Sequence, residues 1–220
     1  MNTRQQRFKT EHYEGGIDRM FKERTPFSKK IKEAIRPTPM KRRISECLFK
    51  LKLQERKLER TSYQMQQRDQ ALYGKCVLAV QGKNNELASM YANECAELRK
   101  MAKVVLHSEL ALEQVTLRLE TVNEFGQVAY TMLPVVSVVK TLKSQLEGVL
   151  PEVSMELSQV NETLEGLTME VGEATESTFD LSASSGESQK ILQEANFVAE
   201  QKMKERFPEL PPIPTSEARV

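Results

Sequence analysis

The sequence lacks the residues and motifs from which most catalytic sites are built. Its 220 residues include no tryptophan and only two histidines. It has no Walker-type loop and no HExxH, GxGxxG or GxSxG motif. His107 lies between apolar turns of a predicted helix beside Ser108 and Glu109, where we expect a solvated face, and His12 lies in a polar N-terminal region. We therefore predict a protein that is not an enzyme and that needs no metal or cofactor.

Cysteines and long apolar runs are also scarce. The three cysteines, Cys47, Cys76 and Cys95, have no short metal-binding spacing, and we expect them to be small buried hydrophobic residues in a reducing cytoplasm. No run reaches the ~18 apolar residues that a membrane-spanning helix requires, and the first twenty residues resemble no signal peptide. We expect a cytoplasmic protein that reaches a membrane only from its side.

The composition that remains favours helices. Only 39% of the residues are hydrophobic and 6% are aromatic, whereas 29% are charged, and strong helix formers dominate. Such a composition is typical of long helices with narrow apolar seams. The predicted fold class is therefore all-α.

Charge is distributed unevenly along the chain. Residues 1–60 contain 18 Lys and Arg against 8 Asp and Glu, whereas residues 152–220 contain 5 against 14. The net charges of the two segments are thus +10 and −9, although the whole chain carries +1. A basic front can bind an anionic surface, and an acidic back can fold onto the basic part.

Periodicity predicts a helical core over residues 39–171 that begins with two long helices. One apolar row of the first helix repeats every seven residues, and its companion row is half polar, which indicates a seam for one partner helix. That row contains Ile44, Leu51, Leu58, Met65, Leu72 and Ala79. Residues 81–85 predict a turn in which Gly82 takes a positive φ and Asn84 or Asn85 caps the next helix. Two long helices joined in this way form an antiparallel hairpin.

The second half of the chain predicts shorter elements. Pro134 should bend or break the second helix near Leu133, and third and fourth helices follow. Residues 172–188 are small and polar, which predicts a flexible linker, and residues 189–205 predict a last helix. The chain in front of the core, residues 1–38, predicts a basic and largely disordered segment.

The basic front predicts attachment to an anionic membrane. Each Lys or Arg near such a surface contributes about 1 kcal/mol, and the neighbouring phenylalanines can insert shallowly. A solvated charge run is the alternative, and nucleic acid is disfavoured because no nucleic-acid-binding motif is present. The candidate membrane-binding residues are Phe21, Phe27, Lys29, Lys30, Lys32, Arg36, Lys41, Arg42 and Arg43.

The tail "RFPELPPIP", residues 206–214, predicts a peptide ligand. Its four prolines favour polyproline II, in which Phe207, Leu210 and Ile213 share one face. An extended segment of this kind suits a hydrophobic groove on a partner protein. A tail without a partner is the alternative.

Taken together, these features resemble the ESCRT-III family, and in particular its archaeal cell-division members, the CdvB group. The segment "MYANECAELRKMAKVVLHSELALEQVTLRLETV", residues 90–122, is similar to the second helix of that group, and the resemblance covers roughly residues 40–205. It implies a membrane-remodelling filament subunit that assembles with itself or with paralogous subunits. It also implies a closed soluble form and a peripheral position at the division site.

The tail is similar to the proline-rich MIT-interacting motif of the same family. The resemblance implies that the tail binds the MIT domain of the AAA ATPase that disassembles the filament, called CdvC in archaea. The residues carried over are Pro208, Leu210, Pro211, Ile213 and Pro214, with Phe207 beside them. A helical adaptor that binds a partner through the same tail but never polymerises is the alternative function.

Overall fold

A computed structural model describes residues 39–125, 128–175 and 181–212 and contains five α-helices in that part of the chain. The helices are α1 (Met40–Gln81), α2 (Asn85–Phe125), α3 (Val128–Leu146), α4 (Pro151–Thr175) and α5 (Leu181–Arg206). No strand occurs in those ranges. The predicted all-α class is confirmed.

The two longest helices, α1 and α2, form the predicted antiparallel hairpin. Asn84 caps α2, since its side-chain Oδ1 accepts a hydrogen bond from the Leu87 amide at 3.1 Å. The expectation of a positive φ at Gly82 is wrong: Gly82 has φ −76°, and Lys83 has φ 56°. Glycine still suits position 82, because a Cβ there would lie 3.3 Å from the Leu78 carbonyl oxygen.

Helices α3 and α4 complete an antiparallel four-helix bundle around the open end of the hairpin. α3 folds back along α2, and α4 packs along both α3 and α1. The seam of α1 therefore serves two partner helices, and the expectation that it would hold only one is wrong. Large fully buried residues from all four helices form the core: Leu51, Leu58, Leu106, Leu112, Leu119, Met132, Leu142, Leu146, Leu157, Leu164 and Leu167.

Pro134 neither bends nor ends the second helix. α2 ends at Phe125, and Pro134 lies inside α3, six residues after Val128. Pro134 is the seventh residue of α3, beyond the first turn, so its missing amide removes one hydrogen bond inside that helix without ending it. The boundary between α2 and α3 therefore lies upstream of the position that the sequence predicted.

Helix α5 lies on α2 and α3 and begins earlier than expected. It starts at Leu181, within the segment 172–188 predicted as a linker, and α4 continues to Thr175. Polar contacts explain the longer helix, since Ser188 is buried, donates to the Ser185 carbonyl oxygen and accepts a hydrogen bond from the Ser137 hydroxyl.

The burial predictions for His107 and for the three cysteines had different outcomes. The expected solvated face for His107 is wrong: α5 covers this side chain, whose Nε2 lies 3.1 Å from the Leu192 carbonyl oxygen. All three cysteines are buried and free, as predicted. Burial raises the pKa of Cys47 to about 11, so this thiol is unreactive at neutral pH.

Candidate functional site

The surface that best fits the charge pattern of the sequence lies between the hairpin and the C-terminal helices. Two ion pairs join α1 to α4. The Lys57 ammonium lies 3.0 Å from a carboxylate oxygen of Glu152, and the guanidinium of Arg43 pairs with Glu170. The two pairs join α1 to α4 near both ends of their contact, which shows that the helices run antiparallel.

Two more ion pairs join α2 to α5. Lys103 Nζ lies 3.0 Å from Glu200, and Arg118 pairs with Glu187. In all four pairs the cation belongs to the hairpin and the anion to a C-terminal helix. Arg43 and Lys57 belong to the basic front, as the charge distribution indicated, whereas Lys103 and Arg118 lie outside it.

At the C-terminal end of α5 the charges are reversed. Glu109 of the hairpin interacts with Arg206 and Lys202 of α5 and is repelled by Glu59 and Glu113. Burial is the largest influence and raises the pKa of Glu109 above the usual value for glutamate. Its Oε2 is buried without a hydrogen-bond partner, so the charged form is held there at a cost.

The tail turns onto the hairpin as soon as α5 ends. Phe207 is buried, and its ring lies 5.7 Å from the guanidinium carbon of Arg99. Arg99 also donates a hydrogen bond of 2.7 Å to the Pro208 carbonyl oxygen. Leu210 and Pro211 are partly exposed, and Ile213 and Pro214 lie outside the described residues. The structure thus places the first residue of the predicted motif against the protein's own hairpin.

The contact partner of the tail is a buried ion pair that the sequence did not reveal. Asp69 is fully buried, and Arg99 donates to both of its oxygens, at 2.7 and 2.8 Å. Asp69 belongs to the companion row of α1, where its charge indicated a solvated position. The hairpin register could have predicted this pair. Asp69 and Arg99 lie equally far along the chain from the turn residue Asn84, so an antiparallel hairpin places them opposite each other.

The predicted membrane-binding residues are only partly described. Lys41 is exposed, Arg42 forms an ion pair with Glu46 at 3.1 Å, and Arg43 forms an ion pair with Glu170. The remaining six lie outside the described residues: Phe21, Phe27, Lys29, Lys30, Lys32 and Arg36. Membrane binding by this group stays a prediction.

Over the described ranges, no group of three or more His, Cys, Asp and Glu side chains is arranged to hold a metal ion. None of the helices in those ranges is long and apolar enough to cross a membrane.

Comparison with known proteins gives two relatives that cover most of the chain. Cell division protein B1 of Sulfolobus acidocaldarius is 38% identical over 184 residues, which are 84% of this chain and 86% of that protein. The chain is a CdvB-type member of the ESCRT-III family. Cell division protein B of the same organism is 32% identical over 180 residues, or 82% of this chain and 69% of that protein. No protein-family model and no solved structure matches.

In this CdvB-type protein, some large apolar residues of the long hairpin are not buried in the bundle. Phe49 and Leu53, one turn apart on α1, are 70% and 53% exposed, and Leu78 near the turn is 69% exposed. The hairpin therefore has apolar surface available for contact with another molecule.

Proposed function

We propose that this CdvB-type protein is a filament subunit that remodels membranes in archaeal cell division, working by assembly and not by catalysis. The names of its two relatives support a role in division. The observation that carries the rest is the charge arrangement of the four ion pairs. Four cations of the hairpin pair with glutamates of α4 and α5. Once unpaired, these cations can bind an anionic membrane or a neighbouring subunit.

The proposed assembly cycle follows from that arrangement. In the closed chain, α5 covers α2 and α3, and Lys103 and Arg118 are paired. Release of α5 frees these cations and uncovers the surface beneath it. Self-association, with this chain or with paralogous subunits, then uses the hairpin, and the basic segment before α1 attaches the polymer to an anionic bilayer.

The tail is the proposed binding site for the ATPase that disassembles the polymer. Its MIT-interacting motif, Phe207 to Pro214, binds the AAA ATPase of the CdvC type, which extracts subunits from the polymer. The partly exposed Leu210 and the exposed Pro208 and Pro212 support this proposal, since a partner can reach them. The protein is thus proposed to act at the division site as a peripheral membrane protein.

Sedimentation with vesicles tests the membrane and polymer parts together. The full-length chain is mixed with vesicles of neutral lipid or with vesicles that contain anionic lipid. Glu187→Gln combined with Glu200→Gln removes both anions that pair with α2, and we expect more protein to pellet with anionic vesicles and filaments to appear by electron microscopy. High salt should weaken binding of both proteins.

The matched control is Glu194→Gln with Glu205→Gln. It makes the same change in net charge on α5, but Glu194 pairs only with Lys190 of its own helix and Glu205 is exposed. Equal pelleting of the two variants would show that total charge, and not release of α5, controls binding. If no form pellets or polymerises, the filament proposal is wrong, and a non-polymerising adaptor that binds a partner through its tail becomes the better function.

A further inference from the structure

Three consecutive residues at the end of α5 close onto a polar site on the hairpin. Arg206 Nη1 lies 3.3 Å from the hydroxyl of Ser62, which is buried. Phe207 covers the guanidinium of Arg99, and Pro208 accepts a hydrogen bond from it. We name this arrangement the tail clasp: Ser62, Asp69 and Arg99 on the hairpin, with Arg206, Phe207 and Pro208 of the tail.

The tail clasp is organised around Arg99. Its Nε and Nη2 hold the buried carboxylate of Asp69, and its Nη1 reaches the tail. A guanidinium whose fork is fixed by a carboxylate is well oriented for both stacking and a further hydrogen bond. The cation–π contact is partly desolvated, since Phe207 is only 8% exposed, and desolvation strengthens such contacts.

Phe207 also belongs to the proposed ATPase-binding motif, and one ring cannot occupy two sites. We propose that the hairpin and the ATPase compete for Phe207, so that the tail clasp masks the motif in the closed chain and binding of the MIT domain requires the clasp to open. This inference rests on the proposed function of the tail. It makes Arg99, which lies 109 residues before Pro208, a determinant of partner affinity.

The expected size of the effect follows from the fraction of chains in which the tail is free. The apparent dissociation constant equals the intrinsic constant divided by that fraction. If the clasp is closed in roughly nine chains of ten, the intact protein binds the MIT domain about tenfold more weakly than the free tail does. A clasp that is open half of the time would change the affinity only about twofold.

The first experiment tests the clasp without any partner. Because the chain contains no tryptophan, Phe207→Trp introduces a single fluorescent probe at the clasp, and acrylamide quenching reports its exposure. In this background, Arg99→Ala should increase the quenching constant severalfold. Lys100→Ala is the control, since Lys100 is the next residue, is exposed and pairs with Glu97; it should leave quenching unchanged. Equal quenching of the two variants overturns the clasp.

Arg99→Ala leaves Asp69 buried without a partner and can therefore unfold the hairpin. A second variant, Asp69→Asn with Arg99→Gln, replaces the ion pair by a neutral pair of amides and still removes the cation beneath Phe207. Circular dichroism checks that the helices persist. Increased quenching in this folded variant supports the clasp, and wild-type quenching contradicts it.

The second experiment measures competition with the MIT domain of the CdvC-type ATPase. A synthetic peptide of residues 205–220, the intact chain and the Asp69→Asn, Arg99→Gln variant are titrated with that domain. We expect the peptide and the variant to bind with similar affinity and the intact chain about tenfold more weakly. Lys100→Ala should bind like the intact chain.

The outcomes separate the inference from the proposed function. If the peptide binds and the intact chain binds equally well, the masking proposal is wrong and the ATPase-binding function of the tail stands. If the peptide itself does not bind, the proposed ATPase-binding function of the tail is wrong. The proposed competition for Phe207 is then wrong as well. The quenching result then still decides whether the hairpin holds the tail.

Discussion

Helices α4 and α5 both lie on the hairpin and both pair glutamates with its cations, but they are held there by different contacts. α4 places a row of large apolar side chains in the core: Val153, Leu157, Val160, Leu164 and Leu167, none more than 1% exposed. The fully covered apolar residues of α5 are fewer and mostly small, namely Ile191, Ala195 and Ala199. The remaining contact of α5 combines partly buried apolar residues, Leu192, Val198 and Met203, with polar contacts. We therefore expect the two helices to have different strengths of attachment.

The difference indicates which helix can leave the hairpin. Burial of each large aliphatic side chain contributes about 1.5–3 kcal/mol, whereas a partly exposed ion pair contributes less than about 1 kcal/mol and is screened by salt. We therefore expect α4 to stay in the bundle. We expect α5 and the tail to open as a unit at lower free energy than the whole protein unfolds.

The largest expected effect comes from truncating a large residue in each helix. Leu157→Ala in α4 should lower the free energy of global unfolding by about 3 kcal/mol, because it leaves a cavity in the core. Ile191→Ala in α5 can lower it by no more than the free energy at which α5 opens, so we expect a smaller loss than for Leu157→Ala, together with faster amide hydrogen exchange across α5. Chemical denaturation and hydrogen exchange measure the two quantities. Equal losses of global stability would show that α5 belongs to the bundle.

A smaller effect is expected from reversing one charge in each interface. Lys103–Glu200 and Lys57–Glu152 are well matched, since all four side chains are between 39% and 63% exposed and both N–O distances are 3.0 Å. Lys103→Glu should loosen α5, measured as faster hydrogen exchange across α5, and adding Glu200→Lys should restore its protection. The same exchange at Lys57 and Glu152 should leave α4 in place. Loss of α4 protection would contradict the comparison.

The fold was largely readable from apolar periodicity, because large residues at helical spacing leave few alternatives. The rows through Leu51 and Leu112 predicted the hairpin and its seam. The start of α5 was not readable in the same way. Its first turns consist of small polar residues that resemble a linker, and they are held by partners that lie far away in the sequence, such as Arg118 for Glu187.

The tail contact shows the same limit of sequence reasoning. Composition predicted that the tail is a ligand for a partner, but it could not show that the buried Asp69 and Arg99 contact the tail inside the chain. A charged residue in an apolar row gives no sign of whether it faces water or a partner. The hairpin register supplies that information only once the turn is fixed at Asn84.

The smallest effect is expected at Glu109, beneath the basic end of α5. Burial raises its pKa in the folded chain, so the folded state binds a proton more tightly than the unfolded state does. Stability from this group is therefore present at low pH and is lost as pH rises through the raised pKa. Glu109→Gln should therefore stabilise the protein slightly at pH 7, because solvent screening reduces the effect of a partly buried charge.

The pH profile gives the check on this assignment. Thermal or chemical unfolding of Glu109→Gln and the parent chain should converge toward pH 3, where the glutamate is protonated in both states. Destabilisation by Glu109→Gln at pH 7 would mean that attraction to Arg206 and Lys202 outweighs the cost of burial. In that case, electrostatic contacts would contribute more to the attachment of α5 than the comparison with α4 allows.

Native-state hydrogen exchange at low and high salt tests most directly whether α5 and the tail are the releasable unit. We predict that amides of residues 185–207 exchange through an opening whose free energy falls as salt rises, while buried amides of α1 to α4 exchange only on global unfolding. Exchange of α5 at the same free energy as α4, with no dependence on salt, would contradict the account.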